Sequence, residues 1–204
     1  MQEKKQILFT GFEPFGGSSV NPSILACRKL DGKEIDGYKI VVEEMSLRYK
    51  EIKGIIEQYV DKYKPSAIVC TGQGGGPHLN LERVAINLAD ARAAYNCGTK
   101  PTDEKLENGP AAFFTTLPVK ELHKRLREEK IPAELSHSAG TFGCNQLFYH
   151  LMSLVDRKKL GIQAGFIHVP LLPEQAYDKR SASMSLELTA RGLEVVAEEL
   201  VKRI

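Results

Sequence analysis

One cysteine of this 204-residue sequence stands in a setting that favours covalent chemistry. Cys144 follows a turn at 139–143 that contains two glycines, and the residues after it place apolar side chains at helical spacing. A thiol in the first turn of a helix lies near unpaired N–H groups and the positive end of the helix dipole, which lower its pKa. Cys144 is therefore a candidate nucleophile; the alternative interpretation is a small buried hydrophobic residue.

A thiol nucleophile needs a base to take its proton. The sequence offers five histidines, which are His78, His123, His137, His150 and His168. His168 is the only titratable side chain in an apolar run that is typical of a buried strand. We predict that His168 is the base for Cys144; a hydrogen-bonded core histidine is the alternative. His123 and His150 fall within predicted helices, where a structural or solvated role is expected.

A third group is needed to hold the imidazole in one tautomer and one orientation. The stretch 81–88 alternates in polarity and is predicted to be one strand, in which Glu82 shares a face with three apolar side chains. A carboxylate that is buried without a partner is strongly destabilising, so a partner is expected. Glu82 is the candidate for this role, and a solvated end of the sheet is the alternative.

Two loops that follow predicted strands add candidate binding residues. The loop at 11–17 holds Phe12 and Phe15, which are expected to be exposed, as a pocket wall or with one of them packed in the core. The loop at 72–77 is rich in glycine and contains Gln73. It resembles a phosphate cradle, but it lacks the Gly-Lys-Ser/Thr sequence of a P-loop.

Apolar runs typical of strands alternate with amphipathic runs typical of helices. The predicted strands cover 6–12, 38–45, 66–71, 81–88, 133–137 and 164–172. The predicted helices include one capped by Asn21, 48–62, a helix ending at 129, one after Cys144 and 183–203. A long irregular section covers 90–112. This alternation predicts an α/β fold with a mostly parallel, twisted sheet and helices on both faces. Sites in such sheets form at the carboxyl ends of strands.

Composition narrows the class of protein further. A length of 204 residues suits one α/β domain, and we predict a single domain over 1–204. The net charge of +2 gives no electrostatic footprint for nucleic acid. Residues 1–5 lead into a short apolar run, so no signal peptide or membrane span is predicted, and the cytoplasm is the expected location. The four cysteines lack zinc-site spacing and are expected to be free thiols.

Three motifs, in this order, resemble those of pyroglutamyl peptidase I, also called pyrrolidone-carboxylate peptidase. They are Gly11-Phe12-Glu13-Pro14-Phe15-Gly16-Gly17, Glu82-Arg83-Val84-Ala85-Ile86-Asn87 with Asp90-Ala91-Arg92, and Ala139-Gly140-Thr141-Phe142-Gly143-Cys144-Asn145. The resemblance implies a cytosolic cysteine peptidase that removes N-terminal pyroglutamate from peptides. It implies a three-layer α/β/α sandwich, distantly similar to purine nucleoside phosphorylases. It also implies a homo-oligomer, dimer or tetramer, with no metal or other cofactor.

Matched residue by residue, the resemblance places a catalytic triad on Cys144, His168 and Glu82. It further implies a small pocket for the lactam ring, with apolar walls and a few polar groups. The implied substrate-binding residues are Phe12, Phe15, Gln73, Arg92, Phe142 and Gly143.

The sequence departs from the family pattern beside the implied site. Ala93-Ala94-Tyr95-Asn96 replaces the usual Ile-Pro-Asp-Asn, and Gly143 stands where valine is common before the cysteine. The second change removes two methyl groups, and we expect a looser fit for the substrate.

Two other functions stay open on the residues alone. A nucleoside phosphorylase-like transferase would use the glycine loop for phosphate. A non-catalytic protein would bind blocked peptide N-termini without cleaving them. Without the resemblance, the residues lead only to a cysteine hydrolase or an acyl-transfer enzyme.

Overall fold

The computed structural model describes residues 5–204, which form a seven-stranded sheet with helices on both faces. The sheet strands are β1 (Gln6–Phe12), β2 (Glu34–Ile35), β3 (Tyr38–Met45), β4 (Ala67–Gln73), β5 (Leu79–Glu82), β8 (Ala133–Ser136) and β9 (Gln163–Val169). A separate two-stranded sheet consists of β6 (Val84–Ile86) and β7 (Ala112–Phe114). The helices are α1 (Pro22–Arg28), α2 (Ile52–Tyr63), α3 (Val119–Glu128), α4 (Gly143–Arg157), α5 (Pro173–Ala176) and α6 (Leu186–Val201).

The strand order of the main sheet is β2-β3-β1-β4-β9-β5-β8. Strands β3, β1, β4 and β9 are parallel neighbours, and β5 is parallel to β8. The pairs β2 with β3 and β5 with β9 are antiparallel. The prediction of a mostly parallel sheet is confirmed, with a reversal of direction at β5 that the sequence pattern did not indicate.

Two hydrophobic clusters fill the space on the two sides of the sheet. One cluster joins the sheet to α1, α3 and α6, and includes Leu30, Leu122 and Leu193. The other joins the sheet to α2 and α4, and includes Ile56 and Leu151. Helices on both faces of one sheet make a three-layer α/β/α sandwich, as expected.

Burial along each strand follows its place in the sheet. Strands β1 and β4 are central and covered on both faces, so nearly all of their residues are buried and their sequences are almost continuously apolar. Strand β8 lies at the edge, and only Ala133 in it is fully buried. The strand predicted at 133–137 is therefore present, but the prediction that it is buried is wrong, because an edge strand has one open side.

The predicted single strand at 81–88 is two strands. Arg83 interrupts it, so that β5 stays in the main sheet while β6 leaves it to pair with β7. Glu82 therefore does not share a continuous strand face with Val84 and Ile86. Its side chain is nevertheless buried, with 1% exposure, so the expectation of a buried carboxylate holds for a different reason.

Smaller differences occur at the ends of elements. The predicted helix at 48–62 begins at Ile52, and the predicted strand at 164–172 ends at Val169. Pro170 explains the second difference, because proline has no N–H to give to a neighbouring strand. The expected cap of α1 is present, with the Asn21 side chain accepting from the Ser23 N–H at 3.0 Å.

Residues 1–4, on which the expectation of no signal peptide partly rests, lie outside the described residues. Within residues 5–204, no helix combines the length and the apolar character needed to cross a membrane.

Candidate active site

Helix α4 presents Cys144 in its first turn, as the sequence pattern predicts. Phe142 is the N-cap residue with extended backbone, Gly143 is the first helical residue, and the Cys144 side chain stays partly exposed. Asn145 fixes this turn to β6. Its amide nitrogen donates to the carbonyl oxygen of Ile86 at 2.9 Å, and its amide oxygen accepts from the N–H of Ile86 at 2.9 Å. The position of the thiol is therefore set by the short strand that departs from the main sheet.

Glu82 and His168 meet because β5 runs antiparallel to β9. The register sets Glu82 opposite Phe166 and Asn80 opposite His168, so Glu82 and His168 are diagonal neighbours on one face. His168 Nδ1 lies 2.8 Å from Glu82 Oε1. The second carboxylate oxygen, Oε2, has no hydrogen-bond partner within residues 5–204. The buried carboxylate thus depends on the imidazole as its partner.

The imidazole of His168 is also within hydrogen-bonding reach of the Cys144 thiol. Burial lowers the pKa of His168, but the negative charge and the hydrogen bond of Cys144, with those of Glu82, raise that pKa to about 10. The ring of His168 is therefore favoured in its protonated form. Because Nδ1 faces Glu82, Nε2 is the nitrogen left to face Cys144.

The glycine loop after β4 makes room for the reacting side chains. A Cβ atom at Gly72 would lie 2.7 Å from Cys144 Sγ and 2.8 Å from the ring of Phe166. A Cβ atom at Gly74 would lie 3.0 Å from His168 Cβ. These glycines are needed because the thiol and the imidazole occupy the adjacent space. This packing explains why glycines are needed here, without the phosphate cradle that the sequence resembles.

Aromatic side chains surround the start of α4. The ring of Phe142 lies 6.2 Å from that of Phe15 and 4.4 Å from that of Tyr95, measured between ring centroids. Phe15 and Phe142 are both partly exposed, and their role as walls of a pocket stays a prediction. Phe12 is only 1% exposed and belongs to the core cluster. The alternative expectation, that one phenylalanine of the loop packs in the core, is confirmed for Phe12, because this residue ends a central strand.

The space beside Gly143 is already filled. A Cβ atom at Gly143 would overlap Leu47 Cδ1 and would lie 3.6 Å from Tyr95 Cε1. Both neighbours are buried, and the hydroxyl of Tyr95 has no hydrogen-bond partner within residues 5–204. The expected loosening at Gly143 is therefore wrong, since side chains from two other segments occupy the volume that a valine would need.

Glu13 joins the three segments around these aromatic residues, and the sequence analysis did not identify it as a site residue. Its Oε1 atom accepts from the N–H of Leu47 at 2.7 Å and from the side-chain amide of Asn96 at 2.8 Å. The Asn96 amide also donates to the carbonyl oxygen of Pro14 at 3.1 Å. A carboxylate between two phenylalanines in the first motif was the available signal.

Gln73 and Arg92 differ in their relation to the site. Gln73 ends β4 between the two glycines that contact Cys144 and His168, and its side-chain oxygen accepts from Gln175 Nε2 at 3.0 Å. Arg92 is exposed on the long loop, and no contact with the Cys144, His168 or Glu82 side chain is recorded for it in the described part of the chain. Gln73 therefore lies beside the site, and the binding role of Arg92 stays a prediction.

A buried polar cluster ties the long loop to α4. The Glu107 carboxylate binds Lys53 Nζ at 2.6 Å and accepts a hydrogen bond from Ser153, and His150 Nδ1 lies 3.6 Å away. Burial lowers the pKa of His150 to about 4, so this histidine is neutral at physiological pH. The structural role expected for His150 agrees with this position.

The four cysteines are free, as expected, but they differ in accessibility. Cys27 and Cys70 are buried, and burial raises the pKa of each thiol to about 12. Cys97 is exposed, and hydrogen bonding with Thr99 lowers its pKa. Over residues 5–204, no group of three or more histidine, cysteine or acidic side chains is placed to hold a metal ion.

We predict that Gly72→Ala displaces the Cys144 sulfur from His168, because the added methyl group would lie 2.7 Å from it. The alkylation rate of Cys144 by iodoacetamide at pH 7, followed by peptide mass spectrometry, should fall about tenfold because the displaced sulfur no longer faces its base. Gly75→Ala is the matched control, since nothing lies within 4 Å of its added Cβ. Equal rates in the two variants would contradict this account of the loop.

We predict that Gly143→Val lowers the free energy of unfolding by about 1–3 kcal/mol, because its side chain would overlap Leu47. Leu47→Ala alone is expected to cost about 2–5 kcal/mol through the cavity that it leaves. In the double variant the valine fills part of that cavity, so the two losses should not add. Urea unfolding of all four proteins gives the coupling, and strict additivity would show that Leu47 does not occupy this space.

Comparisons with known proteins agree over nearly the whole chain. The family model for pyroglutamyl peptidase matches residues 5–203. A pyrrolidone-carboxylate peptidase of Bacillus licheniformis is 45% identical over 195 residues, which cover 95% of this chain and 91% of the relative. The crystal structure of pyroglutamyl peptidase I from Bacillus amyloliquefaciens superimposes with a TM-score of 0.94 at 40% identity, covering 97% of this chain and 95% of that one.

A more distant solved structure shows the same architecture. A mutant pyrrolidone carboxyl peptidase from the hyperthermophile Pyrococcus furiosus has a TM-score of 0.94 at 34% identity, covering 98% of this chain and 99% of that one. The family match spans all five segments that build the site: the aromatic loop, the glycine loop, β5, the start of α4 and the end of β9. The chain belongs to the pyroglutamyl peptidase family.

Proposed function

We propose that this chain is a cysteine exopeptidase that removes N-terminal pyroglutamate from peptides through a thiol acyl-enzyme. The observation that carries the proposal is the continuous set of contacts from the Cys144 thiol through the His168 imidazole to the Glu82 carboxylate. Family membership and the similarity to pyroglutamyl peptidase I support pyroglutamate as the acyl group. The proposed chemistry uses protein side chains and water.

In the proposed reaction, His168 takes the thiol proton of Cys144 while Glu82 holds the ring. The sulfur attacks the pyroglutamyl carbonyl carbon, so that a C–S bond forms and the carbonyl oxygen becomes an oxyanion. The imidazolium gives its proton to the leaving nitrogen as the C–N bond breaks. A water molecule, deprotonated by His168, then attacks the thioester, and the C–S bond breaks to release pyroglutamate and restore the thiol.

The first turn of α4 is the proposed oxyanion site. The first N–H groups of a helix have no acceptor within the helix, so the N–H of Cys144 and a neighbouring turn amide are available to the oxyanion. The helix dipole adds a positive potential at the same end. A single such donor contributes about 3 kcal/mol to catalysis in other enzymes.

The pyroglutamyl ring is proposed to bind among the aromatic side chains beside Cys144. Pyroglutamate has no charged amine, so apolar walls with a few polar groups suit it better than a carboxylate clamp. Phe15 and Phe142 supply partly exposed walls within 6.2 Å of each other. Gln73 adds an amide at the end of β4. Phe12 supports this pocket from the core. Arg92, which is exposed on the long loop, stays a proposed binding residue because it matches the family motif.

The two alternative functions lack support from the site. A phosphorylase-like role needs the glycine loop for phosphate, but Gly72 and Gly74 lie against Cys144 and His168. A protein that only binds peptides would not need the buried carboxylate of Glu82 beside His168.

We also propose that residues 1–204 form one peptidase domain that works in the cytoplasm as a homo-oligomer, a dimer or a tetramer. Both hydrophobic clusters pack on the same sheet, which supports a single domain. Phe114 of β7 is 69% exposed, as expected for an apolar side chain at a subunit contact.

The exposed thiols allow a sharp test of the nucleophile. In a Cys97→Ser protein, Cys144 is the accessible thiol among the four cysteines. Iodoacetamide should abolish release of the fluorophore from pyroglutamyl-aminomethylcoumarin, in the presence of EDTA, with the label on the Cys144 peptide. Cys144→Ser should lower kcat/KM by about 10³-fold or more. Turnover that largely survives either treatment would remove Cys144 from the mechanism.

The contribution of Glu82 predicts a pH dependence. Because Glu82 raises the pKa of His168, replacing it with neutral glutamine should lower that pKa from about 10. The alkaline limb of the kcat/KM profile, where the imidazolium loses its proton, should therefore move to lower pH in Glu82→Gln. Glu134→Gln is the matched control, since Glu134 also faces an imidazole, that of His78, at an exposed site. An unchanged alkaline limb in Glu82→Gln would contradict the assigned role.

A further inference from the structure

An open cavity of about 600 Å³ lies next to the end of β4 that borders the reacting side chains. It is lined by residues of 15–20 and 174–179 and by Gln73. The neighbours of Gln73 in the chain are Gly72, which packs against Cys144 Sγ, and Gly74, which packs against His168. The cavity therefore reaches a position one residue away from those that contact Cys144 and His168, and it opens to solvent.

Phe15 separates this cavity from the proposed pocket for the acyl group. Its ring faces Phe142 on one side and also lines the cavity. A pyroglutamyl group ends in a closed ring and has no chain on its N-terminal side. The rest of the substrate, the peptide that leaves, therefore lies entirely on one side of the reacting carbonyl.

We propose that the cavity, 15–20 with 174–179, binds the leaving peptide in an extended form and favours an apolar or aromatic side chain near its outer end. The inference rests on the proposed function and adds a preference for the residues after pyroglutamate. A volume of about 600 Å³ is in the range of ordinary ligand sites and exceeds what the small lactam ring needs.

The floor of the cavity is built to meet a peptide backbone. Gln175 Nε2 donates to Gln73 Oε1 at 3.0 Å and to Ser18 Oγ at 3.3 Å, and its Oε1 accepts from the N–H of Leu172 at 3.0 Å. These bonds hold the Gln73 amide in place. Among residues 5–204 no partner is recorded for Gln73 Nε2, so this donor is available to a substrate carbonyl where the acyl pocket and the cavity meet.

Tyr177 marks the outer rim and gives the apolar preference. It lines the cavity and is 85% exposed, which makes it the most exposed large hydrophobic side chain in the described structure. An aromatic ring so exposed gains little from packing within the chain, and it offers a surface for an apolar side chain. Glu174, Asp178 and Lys179 place charges of both signs around it. We therefore expect no preference for substrate side chains of one charge.

The test compares two substrates with the same acyl group, pyroglutamyl-alanine amide and pyroglutamyl-alanyl-phenylalanyl-alanine amide. The unaltered protein should have the higher kcat/KM on the longer peptide. Tyr177→Ala should lower that value about 3- to 10-fold, in line with the loss of one aromatic contact. The fall for the dipeptide, which does not reach the rim, should stay below about twofold. Leu188→Ala removes an apolar side chain of α6 that is also exposed but lies outside the cavity, and it should change neither value.

Equal losses on the two substrates in Tyr177→Ala, or equal kcat/KM values in the unaltered protein, would overturn the assignment of the cavity. Replacing the phenylalanine of the longer peptide with aspartate should remove most of its advantage, and an unchanged advantage would overturn the apolar preference. Failure of the unaltered protein to cleave either peptide would reject the proposed function, and this inference with it.

Discussion

The buried pair of Glu82 and His168 constrains the sheet more than any other interaction. A carboxylate with 1% exposure is stable only beside a positive charge or strong donors, and the imidazole 2.8 Å away is its recorded partner. The contact needs β5 to run against β9 in one register, because a shift of one residue would turn Glu82 to the opposite face. The same register lets β6 leave the sheet and hold the first turn of α4. The register of β5 against β9 thus sets both the contact between Glu82 and His168 and the topology of this part of the sheet.

The site also depends on glycines, which leave room for neighbouring groups. Gly72, Gly74 and Gly143 each border a group that occupies the space of their missing Cβ atoms. At the first two positions the neighbours are Cys144 and His168, and at the third they are Leu47 and Tyr95. Because protein interiors are close-packed, a small residue at one position is tied to a large one at another. The glycine and the tyrosine that depart from the family pattern are therefore explained together, as neighbours in space.

Local patterns were sufficient for many of the elements and for naming Cys144, His168 and Glu82 as candidate catalytic residues. The bounds of β1 and β3, the Asn21 cap and the place of Cys144 at a helix start all depend on nearby residues, and all were predicted correctly. The break at Arg83, the antiparallel β5 and the edge position of β8 depend on pairing between distant segments, which periodicity does not encode. The bonds of Glu13 were missed for the same reason. The resemblance supplied the acyl group, which no local pattern indicated.

The unequal burial of the four cysteines has a consequence for oxidative damage. Cys27 and Cys70 are buried and hold their protons, with pKa values of about 12, so peroxides find almost no thiolate there. Cys144 is accessible and faces His168, and Cys97 lies on the surface. Oxidation to sulfenic acid would therefore start at the accessible pair, while the thiols inside the core stayed intact. Under the proposed mechanism, protein oxidised at Cys144 would stay folded but inactive, and a reductant could restore its activity without refolding.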